Sequence, residues 1–283
     1  MSEIDGLSYC AAELRRHDPE RFLMALLAPP ERREELFALY AFNLEVAKTA
    51  EVVSEPMLGQ IRLQWWRESL DGIYAGTPRR HYVVEPLARA IQRTGIERDR
   101  FYRMIDARDF HDLGDAPPRS LAALEAYATD TGGELVALAL ILLGIRNPDA
   151  LAAGQAAGAG YALAGLLRAF PFLLHRNRRI LPSDLLARHA ISDADLHGRQ
   201  PPATLPAALA EIAALAEARV TSARHAARRI PRAARSPMLH ATLAAMHLRR
   251  LRRRSYDVFR SDIAEAPRLR GVALALHGLT GRV

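Results

Sequence analysis

Clusters of histidine and acidic side chains can hold a metal ion or transfer protons, and the sequence contains one cluster of this kind. Asp109, His111 and Asp112 fall within one helical turn of each other. Gly114 and two prolines follow closely, so we interpret the cluster as a solvated helix end. The ten histidines form no HExxH pattern, and the single cysteine, Cys10, excludes an internal disulfide and a multi-cysteine metal site. These residue types therefore predict neither a metal site nor a catalytic residue.

Phosphate-binding loops are not found either. Several glycines lie between positions 154 and 165, but no strand pattern precedes them and no GK[ST] sequence is present. They fall inside a helical pattern of alanines and leucines, where small residues let two helices approach closely. We therefore expect helix packing here rather than nucleotide binding.

Two helical segments carry the remaining candidates. The first reads LYAFNLEVAKTAEVVSE from Leu39 and is followed by IRLQWWRESLDGIYAGTP, and the second reads GYALAGLLRAFPFLLHRNRRILPSDLL from Gly160. In order, spacing and flanking residues they resemble the squalene/phytoene synthase family, whose two motif helices read AFxRxxDDxxD and LRDxxEDxxxGRxYLP. The resemblance extends over nearly the whole chain. It implies an all-α isoprenoid synthase fold.

The resemblance also implies a chemistry that depends on magnesium. In catalytically competent members, aspartates one turn apart hold magnesium ions that bind the diphosphates of two prenyl substrates, and ionisation of one diphosphate starts a head-to-head condensation. Magnesium demands oxygen ligands, so apolar or basic side chains cannot replace these carboxylates. Aligning Ala41 and Phe42 with the family's AF places Ala47 and Lys48 at the adjacent aspartates and Glu51 at the last one. The first motif therefore keeps one carboxylate of three.

The second motif has lost its aspartates. Aligning LR at 167–168 and LP at 181–182 with the same letters of the family pattern keeps the spacing without a gap, and it places Ala169 and Leu173 at the aspartate positions. A fixed ammonium such as Lys48 cannot bridge two phosphates and several carboxylates as magnesium does. We therefore predict a pseudoenzyme without a cofactor.

A working prenyltransferase, condensing two prenyl diphosphates head to head, stays open as the alternative. Its metal site would have to be rebuilt from other carboxylates. The available ones are Glu45, Glu51, Asp106 and Asp109. Magnesium would be a cofactor in this alternative alone.

Three shorter stretches narrow the resemblance within the family. The AFNLE of the first motif helix, the QWWRE that follows it and the HRNRRILP that ends the second resemble the divergent branch typified by the mitochondrial assembly factor for respiratory complex I. That likeness implies a bacterial assembly or binding protein with complex I subunits or assembly intermediates as partners.

Basic side chains gather at the end of the second motif. Arg168, His175, Arg178 and Arg179 are candidates for binding an anion, either a prenyl diphosphate or an anionic lipid head group. A solvated helix end with cations near its last carbonyls is equally consistent with the pattern.

The overall charge also favours an anionic partner. There are 39 basic residues against 32 acidic ones, and Lys48 is the single lysine, which leaves 38 arginines. The basic segment 247–254 resembles an amphipathic surface that lies on anionic lipid. No interleaved aromatic residues accompany it, so we do not expect nucleic-acid binding.

The predicted location follows from the hydropathy pattern. The N-terminal residues lack the apolar core of a secretory signal. No run reaches the roughly 20 apolar residues of a membrane span, and the longest, 135–145, is about half that length. We expect a bacterial cytoplasmic protein that contacts the inner membrane peripherally at most.

The domain organisation is predicted from helical periodicity and from proline and glycine punctuation. Strand patterns are nearly absent, and no linker interrupts the chain, so we predict a single helical domain over residues 1–283. The expected helices span 31–53, 56–74, 83–94, 97–112, 119–143, 148–175, 204–229, 236–263 and 267–279.

Overall fold

Helices make up the regular structure along the whole described chain. The computed structural model describes residues 6–53, 55–114, 116–227, 229–264 and 270–280, and no strand occurs among them. The all-α prediction is therefore confirmed. Within these ranges the α-helices are α1 Tyr9–His17, α2 Pro19–Leu26, α3 Arg33–Ala47, α4 Thr49–Val52, α5 Pro56–Tyr74, α6 Val84–Thr94, α7 Arg98–Asp112, α8 Leu121–Ala128, α9 Glu134–Leu142, α10 Pro148–His175, α11 Ser183–Arg188, α12 Asp193–Leu196, α13 Leu205–Ala227, α14 Leu239–Arg253, α15 Ser261–Ala264 and α16 Arg270–Thr280.

Local signals explain where the long helices begin. Both α5 and α10 open on a proline, which tolerates the first helical position because the N–H there has no partner inside the helix. Asn147 precedes α10, and its side chain accepts a hydrogen bond from the N–H of Ala150 at 3.1 Å. The predicted bounds of these two helices are confirmed.

Three predicted helices are interrupted in the structure. The segment predicted as one helix over 31–53 is divided at Lys48 into α3 and α4, after a short 3-10 turn at Pro30–Arg32. The segment predicted over 119–143 contains a π-helical turn, Thr129–Gly133, between α8 and α9. The segment predicted over 236–263 is divided into a 3-10 turn at Ser236–Met238, α14 and α15, with positive φ at Ser255 and Tyr256 after α14 ends. The prediction of unbroken helices was wrong at these three points, because tertiary packing overrides a continuous periodic pattern.

The π-helical turn lies where two glycine-bearing segments cross. A Cβ atom added to Gly158 of α10 would lie 1.9 Å from the carbonyl oxygen of Gly132, and one added to Gly132 would lie 2.6 Å from the carbonyl oxygen of Gly158. Backbone therefore packs directly on backbone at this crossing. The expectation that the glycines of this region serve close helix packing is confirmed at Gly158.

This crossing makes a testable prediction about stability. Gly158→Ala should lower the free energy of unfolding by roughly 3 kcal/mol, at the upper end of the range for overpacking, since rigid backbone atoms must move. Urea unfolding followed by far-UV circular dichroism measures the change.

Gly165 of the same helix is the matched control. A Cβ atom there meets nothing within 4 Å. Gly165→Ala should therefore leave stability unchanged or raise it by up to about 1 kcal/mol, the helix-propensity difference. Equal stabilities for the two variants would contradict this account of the crossing.

Helix α9 joins the two large clusters of buried side chains. Its Leu135 and Leu138 belong to the cluster built from α1, α3, α5, α6 and α7, whereas Val136 and Leu140 belong to the cluster built from α8, α10, α13 and α14. Burial on both sides explains why the apolar run at 135–145 shows no polar face. The organisation of the chain as a single domain stays a prediction.

Helix α10 is the one helix in the described ranges whose length and composition would allow it to cross a membrane. Half of its most apolar stretch is buried inside the fold, where α10 packs on α9, α13 and α14. Its apolar character is explained by this central position.

Candidate functional site

The ends of the two motif helices lie side by side. Ala47 ends α3, Lys48 caps it, and Glu51 lies exposed in α4. Arg176, which follows α10, donates a hydrogen bond from Nη1 to the backbone oxygen of Glu51 at 2.9 Å. The structure thus brings together the two segments that the family pattern pairs.

Ala169 and Leu173, which the sequence alignment places at the family's aspartate positions, are packing residues of α10 in the structure. Leu173 is 8% exposed and belongs to the core cluster around α10, and Ala169 packs against the same cluster. These two side chains contribute burial and no negative charge.

The carboxylates from which a metal site could have been rebuilt are mostly bound to arginines. Glu45 forms an ion pair with Arg62. Asp106 and Asp109 both accept from Arg67 Nη2, at 2.7 and 2.9 Å. A metal ion at these positions would first have to displace the arginine that neutralises them. Across the part of the chain that the structure describes, no group of three or more His, Cys, Asp or Glu side chains is placed to hold a metal ion.

Asp112 lies at the centre of a hydrogen-bond cluster beside the second motif. Its Oδ1 accepts from Arg178 Nη2 and from the Tyr127 hydroxyl, both at 2.7 Å, and its Oδ2 accepts from Arg108 Nη1 at 3.2 Å. The side chain of Asp112 is 9% exposed. The prediction of a solvated helix end was wrong for this residue, because its three donors come from α7 itself, α8 and the segment after α10.

The turn after α10 positions Arg178. Asn177 adopts the left-handed conformation with φ 53°. The N–H of Arg178 donates to the carbonyl of Leu173 at 2.9 Å, and the N–H of Asn177 donates to the carbonyl of Leu174 at 2.9 Å. This is a Schellman turn, whose left-handed position is most often occupied by glycine and less often by asparagine. The family pattern has glycine at this position. The turn, and with it the position of Arg178 after α10, could therefore have been predicted from the sequence.

A cavity of about 740 Å³ opens beside these residues, and we call it the outer cavity. It lies between the α4–α5 connection and the ends of α7, α10 and α12. Burial lowers the pKa of His111, so its imidazole is neutral at pH 7 and the positive charge of the walls comes from arginines. The ionisable residues of these walls are Glu55, His111, Asp112, Arg176, Arg178, Arg179, Asp193 and His197.

The four predicted anion-binding residues are divided by the structure. Arg178 and Arg179 line the outer cavity, and Arg179 forms an exposed ion pair with Asp193 at 2.6 Å. His175 is exposed at the end of α10 and is not part of the cavity walls. Arg168 belongs to a different group of residues in the protein interior.

That interior group is a charged network between α2, α10 and α14. His247 Nε2 lies 3.0 Å from Arg168 Nη1 and 3.4 Å from Glu20 Oε1. The hydroxyl of Tyr161 donates to Glu20 Oε2. Glu20 is 6% exposed and His247 is 1% exposed. Sequence analysis missed this network because Glu20 and Tyr161 are 141 positions apart, and no local pattern connects them.

The network keeps one buried carboxylate ionised. Burial by itself raises the pKa of Glu20, but the contact with His247, the Tyr161 hydroxyl and the charge of Arg168 outweigh it and lower the pKa to about 2. Burial lowers the pKa of His247, and it lowers that of His240 on the same helix to about 3. At pH 7, Glu20 is therefore charged and both imidazoles are neutral.

Comparison with known proteins identifies the family. The model of the squalene/phytoene synthase family matches residues 14–270. The chain belongs to the squalene/phytoene synthase family. A solved structure described as a dehydrosqualene synthase in complex with ligand superimposes with a TM-score of 0.82 at 18% identity, covering 96% of this chain and 95% of that one. The predicted isoprenoid synthase fold is confirmed.

Two sequence relatives align with different fractions of this chain. A protein of Rattus norvegicus named NADH dehydrogenase (ubiquinone) complex I, assembly factor 6, is 30% identical over 273 residues, covering 96% of this chain and 82% of that protein. Presqualene diphosphate synthase of Sinorhizobium fredii is 24% identical over 186 residues, covering 65% of this chain and 66% of that enzyme. The resemblance to the assembly-factor branch of the family is therefore confirmed.

Proposed function

We propose that this member of the family is a non-catalytic protein that assists the assembly of respiratory complex I. The observation that carries the proposal is that the two motif segments meet while Ala47, Lys48, Ala169 and Leu173 offer no oxygen ligand for magnesium. Without several carboxylates between these segments, the charge of two diphosphates is not balanced and ionisation is not assisted.

Two further observations support this reading. The carboxylates Glu45, Asp106 and Asp109, which a rebuilt site would need, are engaged by arginines. The assembly factor aligns with a larger fraction of this chain, and at higher identity, than the synthase does. The partners we propose are complex I subunits or assembly intermediates, and the place of action is the cytoplasm and the adjoining face of the inner membrane.

An exposed apolar surface gives the proposal a place where a partner can bind. Met57, Leu58 and Ile61 of α5 are 67%, 47% and 60% exposed. We call these three residues the α5 patch. Apolar side chains that remain exposed together are typical of interaction sites.

We propose that an apolar surface of a protein partner covers the α5 patch. The exposed carboxylates of Glu51 and Glu55 lie directly before α5 in the chain. Their negative charge disfavours approach to an anionic lipid surface, whereas a protein partner can supply matching cations.

Two experiments test the assembly role. Deletion of the gene in its host should lower complex I activity and leave carotenoid and hopanoid levels normal; the reverse pattern would count against the proposal. Incubation of the purified protein with magnesium and farnesyl or geranylgeranyl diphosphate should give no condensation product. A magnesium-dependent turnover, with an active synthase as the positive control, would defeat the non-catalytic assignment.

A further inference from the structure

The basic segment 247–254 lies at the end of α14, and its arginines differ in their partners. Arg252 Nη1 lies 3.8 Å from Glu217 Oε1 of α13. Arg249 and Arg253 are exposed, and neither has a carboxylate within ion-pair distance among the described residues. This helix therefore carries cations that the fold leaves without a counter-charge.

Arg224 of α13 adds a cation where α13 and α14 pack together. It shares a helix face with Glu217, seven positions earlier, and Arg249 shares a helix face with Arg252, three positions later. Because Glu217 and Arg252 pair across the two helices, Arg224 and Arg249 lie along the same seam. We call Arg224 and Arg249 the seam pair.

The positive charge of the seam pair is not neutralised by the fold. The side chain of Arg224 is partly buried, and its Nε is buried without a hydrogen-bond acceptor in the described part of the chain. Burial and the charge of Arg249 lower the pKa of Arg224, and no acidic side chain opposes this shift. Two like charges in a partly buried seam repel each other, so a bound anion would stabilise this arrangement.

A phosphoryl group matches two neighbouring guanidinium groups better than a carboxylate does. Each guanidinium can donate two parallel hydrogen bonds to an oxyanion. A phosphoryl group has enough oxygens to accept from both arginines, whereas a carboxylate has only two oxygens.

We propose that the seam pair binds the phosphoryl oxyanion of a phosphate compound, with Arg253 adding positive charge one turn further along α14. The phosphoryl group belongs either to a soluble compound or to the head group of a membrane phospholipid. Neither arginine lies in the two motif segments or in the walls of the outer cavity, so this site is separate from the family's aspartate positions.

This inference goes beyond the assembly role and can fail without it. Isothermal titration of the purified full-length protein with inorganic phosphate should show saturable binding. Phosphate should also raise the melting temperature more than sodium chloride does at equal ionic strength. Flotation with phosphatidylcholine vesicles that contain phosphatidic acid distinguishes the two sources: vesicle binding that needs the seam pair assigns a lipid phosphate, and phosphate binding without vesicle binding assigns a soluble compound.

Two variants remove one charge each from the seam pair. Arg224→Met keeps an unbranched apolar stem, and Arg249→Gln keeps a polar surface. Each should weaken phosphate binding by about tenfold, a factor within the range of one charge-assisted hydrogen bond. Arg224→Met should unfold at the same or a higher temperature in phosphate-free buffer, because it removes a partly buried cation, and this separates lost binding from lost folding. The exposed Arg199→Gln is the control and should bind phosphate as the unaltered protein does.

Four results would overturn the site. Absence of saturable phosphate binding removes the ligand class, and equal stabilisation by phosphate and chloride shows charge screening only. Unchanged phosphate affinity in both variants places the binding elsewhere. Glutarate, a small dicarboxylate, binding as tightly as phosphate would assign the seam to the carboxylates of an acidic protein surface.

Discussion

Replacing Glu20 by glutamine is expected to lower the free energy of unfolding at pH 7 by about 3 kcal/mol. Glu20 is the acidic member of the network between α2, α10 and α14, with His247 Nε2 3.4 Å from its Oε1. Glutamine keeps the shape and can still accept from Tyr161. It supplies no negative charge near Arg168, and this is the source of the loss.

The size of the effect should depend on pH in a defined direction. Because the folded pKa of Glu20 is lowered to about 2, from its ordinary value of 4.5, the ionised form is favoured by folding. Its contribution is fully present above pH 4.5 and is lost as the pH falls from there toward 2. The deficit of Glu20→Gln relative to the unaltered protein should therefore be constant from pH 7 to about 5 and narrow below 4.5.

Urea unfolding at several pH values measures this deficit. Glu97→Gln is the control, since the Glu97 side chain is 81% exposed and should change stability little at any pH. A Glu20→Gln protein as stable as the unaltered one at pH 7, or a deficit that does not shrink in acid, would show that the network does not stabilise the carboxylate as described.

Charging the α5 patch should abolish the assembly role while leaving the fold intact. Met57→Asp combined with Ile61→Asp places two carboxylates one turn apart on the exposed side of α5, where both native side chains are at least 60% exposed. Surface changes of this kind usually alter stability by less than about 0.5 kcal/mol each. In a deletion strain, this variant should restore complex I activity to no more than a tenth of the level reached with the unaltered gene, because an apolar partner surface cannot bury two carboxylates.

The control for this variant lies on α16. Val272 and Leu276 are one turn apart and 58% and 57% exposed, close to the values of the α5 pair. Val272→Asp with Leu276→Asp should restore complex I activity in full. Normal complementation by the α5 variant would defeat the assignment of the patch.

A separate experiment tests whether a lipid surface, in place of a protein partner, covers the α5 patch. Flotation of the purified protein with protein-free anionic vesicles should show no difference between the unaltered protein and the α5 variant. Vesicle binding that is lost in the variant would assign the patch to a membrane surface in place of a protein partner.

Much of the architecture and of the motif geometry could be predicted from local features of the sequence. Helical periodicity and helix-initiating prolines predicted α5 and α10 at their observed bounds. The gap-free alignment of the second motif predicts which side chains occupy the aspartate positions, and this stays a prediction. The structure brings Arg176, after α10, against the backbone of Glu51 in the first motif segment. Such features are readable because helix formation and motif spacing depend on residues a few positions apart.

Features that depend on long-range contacts were missed or misjudged. Asp112 looked like a solvated helix end, yet Arg178 and Tyr127 donate to it from other segments. Arg168 looked like a neighbour of Arg178, but it points into the network with His247. Side chains from one short stretch of sequence can enter different surroundings, which only the packing of the other helices defines.

The sequence by itself therefore determined the all-α fold and the family, since both follow from residue type and local spacing. Only the tertiary structure decided which charges neutralise each other, where Glu20 is buried, and which residues line the outer cavity. Those properties arise where helices distant in sequence pack together, and electrostatic effects depend on the distances and burial that this packing sets.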